Sequence, residues 1–374
     1  MKVLFGVASP YQLFNAIILR MSAYANDECD IRLADFTEWS SDLVSRLRAS
    51  SLFGSVEIVE LVEAQRIFLE ENPPEVIRST YQDADQYFKD GAFAEPIYDV
   101  LCYGVPHLHW RMFYYLERKR GLTPQLYFLE EGIQSYTRDI VRLERSQKFS
   151  AGAYPKGHSF CENIRGIYLH RPELFSVAGV SLQALKIPSP LDIEGCREKI
   201  IEIYGRASRV DEDYVYLEDF FFANSLRTND LELVRTLAEI VGVENLVVKR
   251  HPRDSINRFA AFGMRDYPES RIPWEVQLLD EGFSSKTLVS VTSSALYSPF
   301  LVYGANTHVI SLERMYKGEN PELNDAGFVQ FMSKVRALID ADGIRVHRPR
   351  NVDELRDTLR YVSFVREAEK GKLQ

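Results

Sequence analysis

Short apolar runs alternate with helix-like stretches twice along this chain, on either side of a break holding two prolines. That double alternation constrains the fold more than any other feature. "KVLFGVA" (Lys2–Ala8) reads as a buried strand. Ser9 then stands as an N-cap, with Pro10 at the first helical position and Gln12 three residues after the cap, a helix start with capping-box spacing. The helix continues through "LFNAIILRMSAYA". "DIRLADF" (Asp30–Phe36) and "SVEIVEL" (Ser55–Leu61) are further strands, with the helix "SSDLVSRLRASSLF" between them. Strands that alternate with helices imply a parallel α/β sheet with crossovers.

The segment Pro74–Arg120 reads as mostly helical and aromatic. "QLYFLEEGIQSY" (Gln125–Tyr136) is a strand ending in an acidic turn, and "GIYLHRPELF" (Gly166–Phe175) a short strand and turn. The break falls near "LKIPSPLDIEG" (Leu185–Gly195). After it the helix "CREKIIEIYG" leads to the strand "DYVYLEDFF", and the helix "DLELVRTLAEIVG" to the strand "NLVVKR". "TLVSVTS" runs into the helix "SALYSPFLVYG", "THVISL" is one more strand, and "NVDELRDTLRYVSFVREAEK" is a terminal amphipathic helix. The length of 374 residues fits two domains at roughly 100–200 residues each. The expected fold is therefore α/β of the GT-B type, with two Rossmann-like domains, 1–187 and 188–374, facing a cleft and the last helix free to pack back on the first domain. Ligands of such sheets bind at the carboxyl ends of the strands.

Composition narrows the function. The net charge of -9 argues against a nucleic-acid partner, which calls for a basic face, while leaving room for a local basic pocket. Cys29, Cys102, Cys161 and Cys196 are scattered, with no C-x-x-C pair. They read as small buried residues of a reducing compartment. The N-terminal apolar run is too short for a signal peptide, and no stretch reaches the length of a transmembrane helix. The expected location is cytoplasmic.

Three strand ends hold chemistry-bearing residues. "NLVVKRHPRDS" leaves a strand through Lys249, Arg250, His251, Pro252 and Arg253. Pro252 holds the residue before it extended, so His251 can point at an anion. An ordinary polar loop gives the same pattern. "SVTSSALYSPF" passes from a strand through Thr292, Ser293 and Ser294 into a helix. Free N–H groups at a helix start, with hydroxyls beside them, can take a phosphate, and simple N-capping is compatible with this. One strand–helix unit separates His251 from Ser293, so the two strands are expected to be neighbours. Glu275, at the start of a helix in "RIPWEVQLL", can accept from ribose hydroxyls or simply pair with the helix dipole. "FLEEGIQSY" ends a strand in Glu130, Glu131 and Gly132. One of these carboxylates can act as a base, or the turn is merely solvated. Glu218, Asp219 and Asp230 are alternative bases. His107 and His109 have poor metal spacing. No D-x-D cluster sits at a strand end, and the one in "DEDYVY", Asp211 and Asp213, precedes a strand, which disfavours a metal-dependent mechanism.

An acidic pair with glycine, an H-P motif and a Ser-Ser motif, in this order, resemble the bacterial sialyltransferases of GT-B type. The likeness is nearest to glycosyltransferase family 52, the lipooligosaccharide sialyltransferase group, with the polysialyltransferases a close second. "ASPYQLFNAIIL", "GIYLHRPELF" and "IPWEVQLL" have the same look, so the resemblance covers most of the chain. It implies an inverting, metal-independent transfer of sialic acid from CMP-sialic acid to a galactoside hydroxyl of a lipooligosaccharide or capsule, with no cofactor. By resemblance, His251, Pro252, Lys249, Arg250, Glu275, Thr292, Ser293 and Ser294 serve the donor. Ser9, Gln12 and Asp35 serve the acceptor. Glu130 or Glu131 is the base, Asp230 remains in reserve, and His251 assists the leaving phosphate. Both acids are glutamate where aspartate is common in the motif. A peripheral contact with the inner membrane and a homodimer are compatible with this reading. Other readings are a GT-B transferase with a different CMP-linked nonulosonic or ketosidic sugar, a CDP-glycerol-type glycerophosphotransferase, or a non-catalytic nucleotide- or glycan-binding partner in capsule assembly.

Overall fold

The apolar run at the N-terminus forms β1 (Lys2–Val7), buried from Val3 onward, as a strand covered on both faces must be. The computed structural model describes residues 1–59, 98–104, 114, 121–137, 163–175, 177, 182–206, 210–222, 224–251, 254, 256–268, 272–281, 286–305, 307–320, 325–341 and 346–372. The chain divides into two compact units, Met1–Gly205 and Arg206–Gln374.

In the first unit, β1 is joined by β2 (Glu28–Ala34), β3 (Val56–Val59), β4 (Val100–Tyr103), β5 (Gln125–Leu129), β6 (Ile164–Leu169) and β7 (Gln183–Lys186). They form one seven-stranded sheet in the order β3-β2-β1-β4-β5-β6-β7, with every pairing parallel. Two of these strands depart from the sequence reading. β4 falls in the segment read as helical, most of which lies outside the described residues. Its four residues are all buried, so it shows no alternation to mark it as a strand. β7 ends inside the stretch read as the inter-domain break, which its last two residues, Leu185 and Lys186, enter.

α1 (Pro10–Met21) starts as the sequence predicts. Ser9 Oγ accepts from the Gln12 N–H at 3.2 Å. The reciprocal bond is shifted by one residue: Gln12 Oε1 accepts from the N–H of Ala8 at 2.7 Å. α2 (Ser41–Ala49) follows β2, and the short α3 (Gln134–Thr137) follows β5. α4 (Cys196–Tyr204) was expected to open the second domain, yet its contacts are with the first unit. Arg46 on α2 donates to the carbonyls of Ile203 at 2.7 Å and Tyr204 at 3.1 Å, the end of a helix where a cation is favoured. The Tyr204 hydroxyl donates to Pro10 O at 2.6 Å.

The second unit carries β8 (Tyr214–Leu217), β9 (Leu246–Lys249), β10 (Arg265–Asp266), β11 (Thr287–Ser290), β12 (His308–Ser311) and β13 (Val346–His347). They form a six-stranded parallel sheet in the order β10-β9-β8-β11-β12-β13. Its described helices are α5 (Asp230–Val241), α6 (Trp274–Glu281), α7 (Ser298–Tyr303), α8 (Ala326–Ala341) and α9 (Val352–Lys372). Leu355 and Leu359 of α9 join the core of this unit with Leu233, Leu237 and Val289. No described helix is long and apolar enough to cross a membrane.

This order overturns one expectation. β9 and β11 are not neighbours, because β8 lies between them and pairs with both. In each unit the chain builds outward from its first strand, then returns to that strand's other side. The reversal points, β1/β4 and β8/β11, are the places where doubly wound sheets bind ligands.

At the first of these, Gln12 fills the space that a side chain on residue 104 would occupy. A Cβ on Gly104 would come within 2.2 Å of Gln12 Cδ. Gly104→Ala is therefore expected to lose about 1–3 kcal/mol by overpacking. Urea unfolding measures it. In a Gln12→Ala background the obstacle is gone, and the double variant should lose less than the two single losses added together.

Candidate functional site

Three strand ends converge at the second reversal point. β8 continues into Glu218 and Asp219, both buried. β9 leads through Arg250 to His251, and β11 through Val291 and Thr292 to Ser293 and Ser294.

Asp219 reaches toward β11. It accepts from the N–H groups of Val291 at 3.2 Å and Thr292 at 3.0 Å, and from the hydroxyls of Thr292 at 2.9 Å and Ser290 at 2.8 Å. Burial pushes its acid up to about 6, and these four donors act in the opposite direction. Glu218 turns toward β9. Its Oε2 accepts from the His251 N–H at 3.2 Å, and its Oε1 from Arg258 Nε at 3.1 Å and Nη2 at 2.7 Å. Burial pushes this acid up to about 6 as well, against the pull of Arg258. Arg258 also bonds Asp230, with Nη2 2.6 Å from Oδ2, and lies over the ring of Phe222 at 4.4 Å.

This network sorts the expected donor-site residues. Asp230 is fully buried and paired with Arg258, so it is not placed to take a proton from an acceptor, and its reserve role as base falls away. The Thr292 hydroxyl donates to Asp219 and accepts from Asn320 Nδ2 at 3.1 Å. It tightens the loop instead of facing a ligand. Arg250 is held by Asp266 at 3.1 Å and by the Asp254 carbonyl at 2.9 Å. Lys249 is buried. Burial pushes its amine down to about 8, while the Glu275 carboxylate draws it back up. Glu275 sits in the first turn of α6, and its Oε1 accepts from the Ser298 hydroxyl at 2.6 Å. Burial raises this acid, opposed by Ser298 and Lys249. Pro252 and Arg253 lie outside the described residues.

His251, Ser293 and Ser294 are half-buried. Among the described residues, the hydroxyls of Ser293 and Ser294 and the N–H groups of Ser294 and Ala295 have no hydrogen-bond partner. They stand at the start of a 3-10 turn, Ser294–Tyr297, that runs into α7. Unpaired N–H groups at a helix start, with hydroxyls and an imidazole on the flanking loops, are suited to an anion.

The acidic pair of the first unit divides. Glu130 is buried and accepts from the hydroxyls of Tyr11 at 2.9 Å and Tyr136 at 2.6 Å and from the His170 N–H at 2.7 Å. Asn15 Nδ2 donates to its carbonyl at 3.0 Å, and Asn15 Oδ1 lies 2.9 Å from His170 Nε2. Burial pushes the His170 imidazole down to about 3 and the Tyr136 hydroxyl well above its usual range. The pair Tyr136–Glu130 is thus a neutral hydroxyl donating to a carboxylate. Glu130 is a structural cross-link between α1, β5 and β6. Glu131 is exposed, and the turn that presents it closes through its N–H to Ser135 Oγ at 2.8 Å and through Gly132 at φ 109°. Of the residues expected to serve the acceptor, Ser9 caps α1, Gln12 is fully buried, and Asp35 is half-buried after β2. Gln12 is a packing residue, not a surface one.

Sequence reasoning missed Arg258, Tyr11, Asn15, Tyr136 and His170. Tyr11 and Asn15 stand four apart on α1 and so share a face, which was a readable signal. Arg258 has none, since its partners are 28 and 40 residues away.

Neither a protein-family model nor a curated protein matches the chain. Solved structures do. The α/β-galactoside α-2,3-sialyltransferase of the luminous marine bacterium Photobacterium phosphoreum aligns with a TM-score of 0.53 at 12% identity, over 92% of this chain and 97% of that one. The UDP-GlcNAc 2-epimerase of Methanocaldococcus jannaschii aligns with a TM-score of 0.51 at 9% identity, over 97% and 92%. At these identities the likeness concerns the fold, which is the two-domain GT-B fold.

Arg258 neutralises two buried carboxylates, so Arg258→Ala is expected to destabilise the protein by about 3–5 kcal/mol. A lowered urea midpoint at unchanged m-value checks this. Asp230→Asn, which removes one of the two negative charges but keeps the volume, should lose less.

Proposed function

We propose that the chain is an inverting, metal-independent glycosyltransferase that moves sialic acid from CMP-sialic acid to a galactoside hydroxyl of a bacterial surface glycan. The observation that carries the reading is the convergence at the end of β8. The H-P loop and the Ser-Ser loop flank one central strand at the reversal point, and each is bonded to it through backbone N–H groups. The order of the three motifs along the chain supports the sialyl donor. The GT-B fold supports a nucleotide-sugar enzyme more broadly.

The chemistry is assigned to groups on these loops and to the acidic pair of the first unit. The bond between the anomeric carbon and the phosphate oxygen breaks, and negative charge grows on the phosphate. His251, the Ser293 and Ser294 hydroxyls and the N–H groups of Ser294 and Ala295 are the donors assigned to that charge. Donors fixed in advance stabilise developing charge most where water is excluded. The acceptor hydroxyl attacks from the opposite face, which inverts the anomeric centre. We assign its proton to Glu131, the exposed member of the acidic pair, whereas Glu130 is already committed to three donors. The lack of a D-x-D pair at a strand end is why the reading is metal-independent. The donor and the glycan acceptor are the proposed partners, and the cytoplasm is the proposed compartment.

The test is mass-spectrometric product analysis with CMP-sialic acid and a panel of galactosides, beside a thermal-shift comparison of CMP, CDP and UDP. A sialylated galactoside and stabilisation by CMP are expected. Selective stabilisation by CDP or UDP would move the assignment to another donor. His251→Ala should lower turnover by about 10²–10³ with folding intact by circular dichroism. Near-normal turnover in that variant would remove His251 from the mechanism.

A further inference from the structure

Glu218 and Asp219 have no part in the transfer chemistry above, yet they touch both loops that carry it. β8 is the one strand of the second sheet that pairs with both β9 and β11. The two residues that follow it turn to opposite neighbours. Glu218 holds the peptide N–H of His251, and Asp219 holds those of Val291 and Thr292, immediately before Ser293. Ser290 Oγ, whose one proton is shared between Leu217 O at 2.7 Å and Asp219 Oδ2 at 2.8 Å, also accepts from the Ser293 N–H at 3.3 Å. The lock therefore extends to the first residue of the anion site.

We propose that Glu218 and Asp219 are the positioning pair of this site: Glu218 sets the peptide that carries His251, and Asp219 sets the peptides ahead of Ser293 and Ser294. The inference rests on the phosphate reading of those two loops. A role as general base does not fit either residue. The Glu218 side chain is wholly buried, Asp219 is 1% exposed, and both carboxylates already face donors on each oxygen. A positioning role does explain why carboxylates stand here. Every group facing Asp219 is a donor, so the site needs a side chain that only accepts. Asparagine would turn an N–H toward one of these donors and leave a buried N–H unpaired. A functional site must be held to within about 0.5 Å. Tying both loops to adjacent residues of one strand end fixes them relative to each other.

The test pairs ligand binding with a mutant cycle. CMP binding to the full chain is measured by titration calorimetry, and donor and acceptor KM are measured separately. Asp219→Asn is expected to weaken CMP binding about tenfold or more and to raise the donor KM with the acceptor KM unchanged. Wild-type affinity in this variant overturns the proposal. So does tighter binding, which would mean that the carboxylate acts only by repelling the phosphate. Should Asp219→Asn fail to fold, Thr292→Val removes one of the same contacts and should shift CMP binding in the same direction. Unaltered binding there overturns the assignment to Asp219. Glu218→Gln should lower kcat in the wild-type background and have no further effect in His251→Ala, because it acts through His251. Equal losses in both backgrounds overturn that half. If the wild-type chain binds no CMP, the phosphate reading itself fails together with the inference. If it binds CMP and the variants match it, only the inference fails.

Discussion

A buried carboxylate after the central strand governs the second unit. Placing Asp219 in the interior is unfavourable for its charge, which is why burial raises its acid to about 6. It is tolerated because four donors from β11 and the residues after it converge on it. The same bonds determine where β11 ends and how its chain turns. The 3-10 turn and α7 then begin from a fixed peptide, with their first N–H groups left over. The shape of the proposed anion site is thus tied to how one acid is satisfied.

The first unit uses the same device at a different strand. Glu130 follows β5 and collects donors from α1, the α3 turn and the residue after β6. Each unit therefore has a pair of adjacent acids after a strand, Glu130–Glu131 and Glu218–Asp219, and the pairs differ in one respect. In the first, one acid is buried and its neighbour is exposed. In the second both are buried, because strands on either side supply donors and Arg258 balances Glu218. An acid pair next to a ligand site can therefore be reactive or architectural, and donor count and exposure decide which.

That distinction marks how far the sequence could be read. The GT-B fold class and most strands were legible, because parallel strands buried on both faces stand out as apolar runs between amphipathic helices. The loops at the ends of β9 and β11 stood out in the sequence as candidates, since cations, a proline and hydroxyl residues at strand ends have a local physical meaning. β4 was not, because a four-residue strand inside an aromatic stretch has no period of its own. The placement of β8 between β9 and β11 was not legible either. Strand order depends on which side of the sheet a crossover returns to, and no local pattern records that. Asp230 looked available because it starts a helix, a position where an acid is usually solvated. Only the fold brings Arg258 to it from 28 residues away.

The crossover that hid the strand order also separates the two loops of the proposed site. Had β9 and β11 been neighbours, His251 and Ser293 would have ended adjacent strands, about 5 Å apart across the sheet. With β8 between them the two loops are separated by two strand spacings, about 10 Å, which leaves room for a ligand group between donors on either side. The intervening strand must then hold both loops, since they no longer pair with each other. That requirement falls on the residues after Leu217, and two adjacent acceptor-only side chains facing opposite neighbours meet it. The acids at 218 and 219 and the separation of the two motif loops are therefore one structural solution, set by the doubly wound order of the sheet.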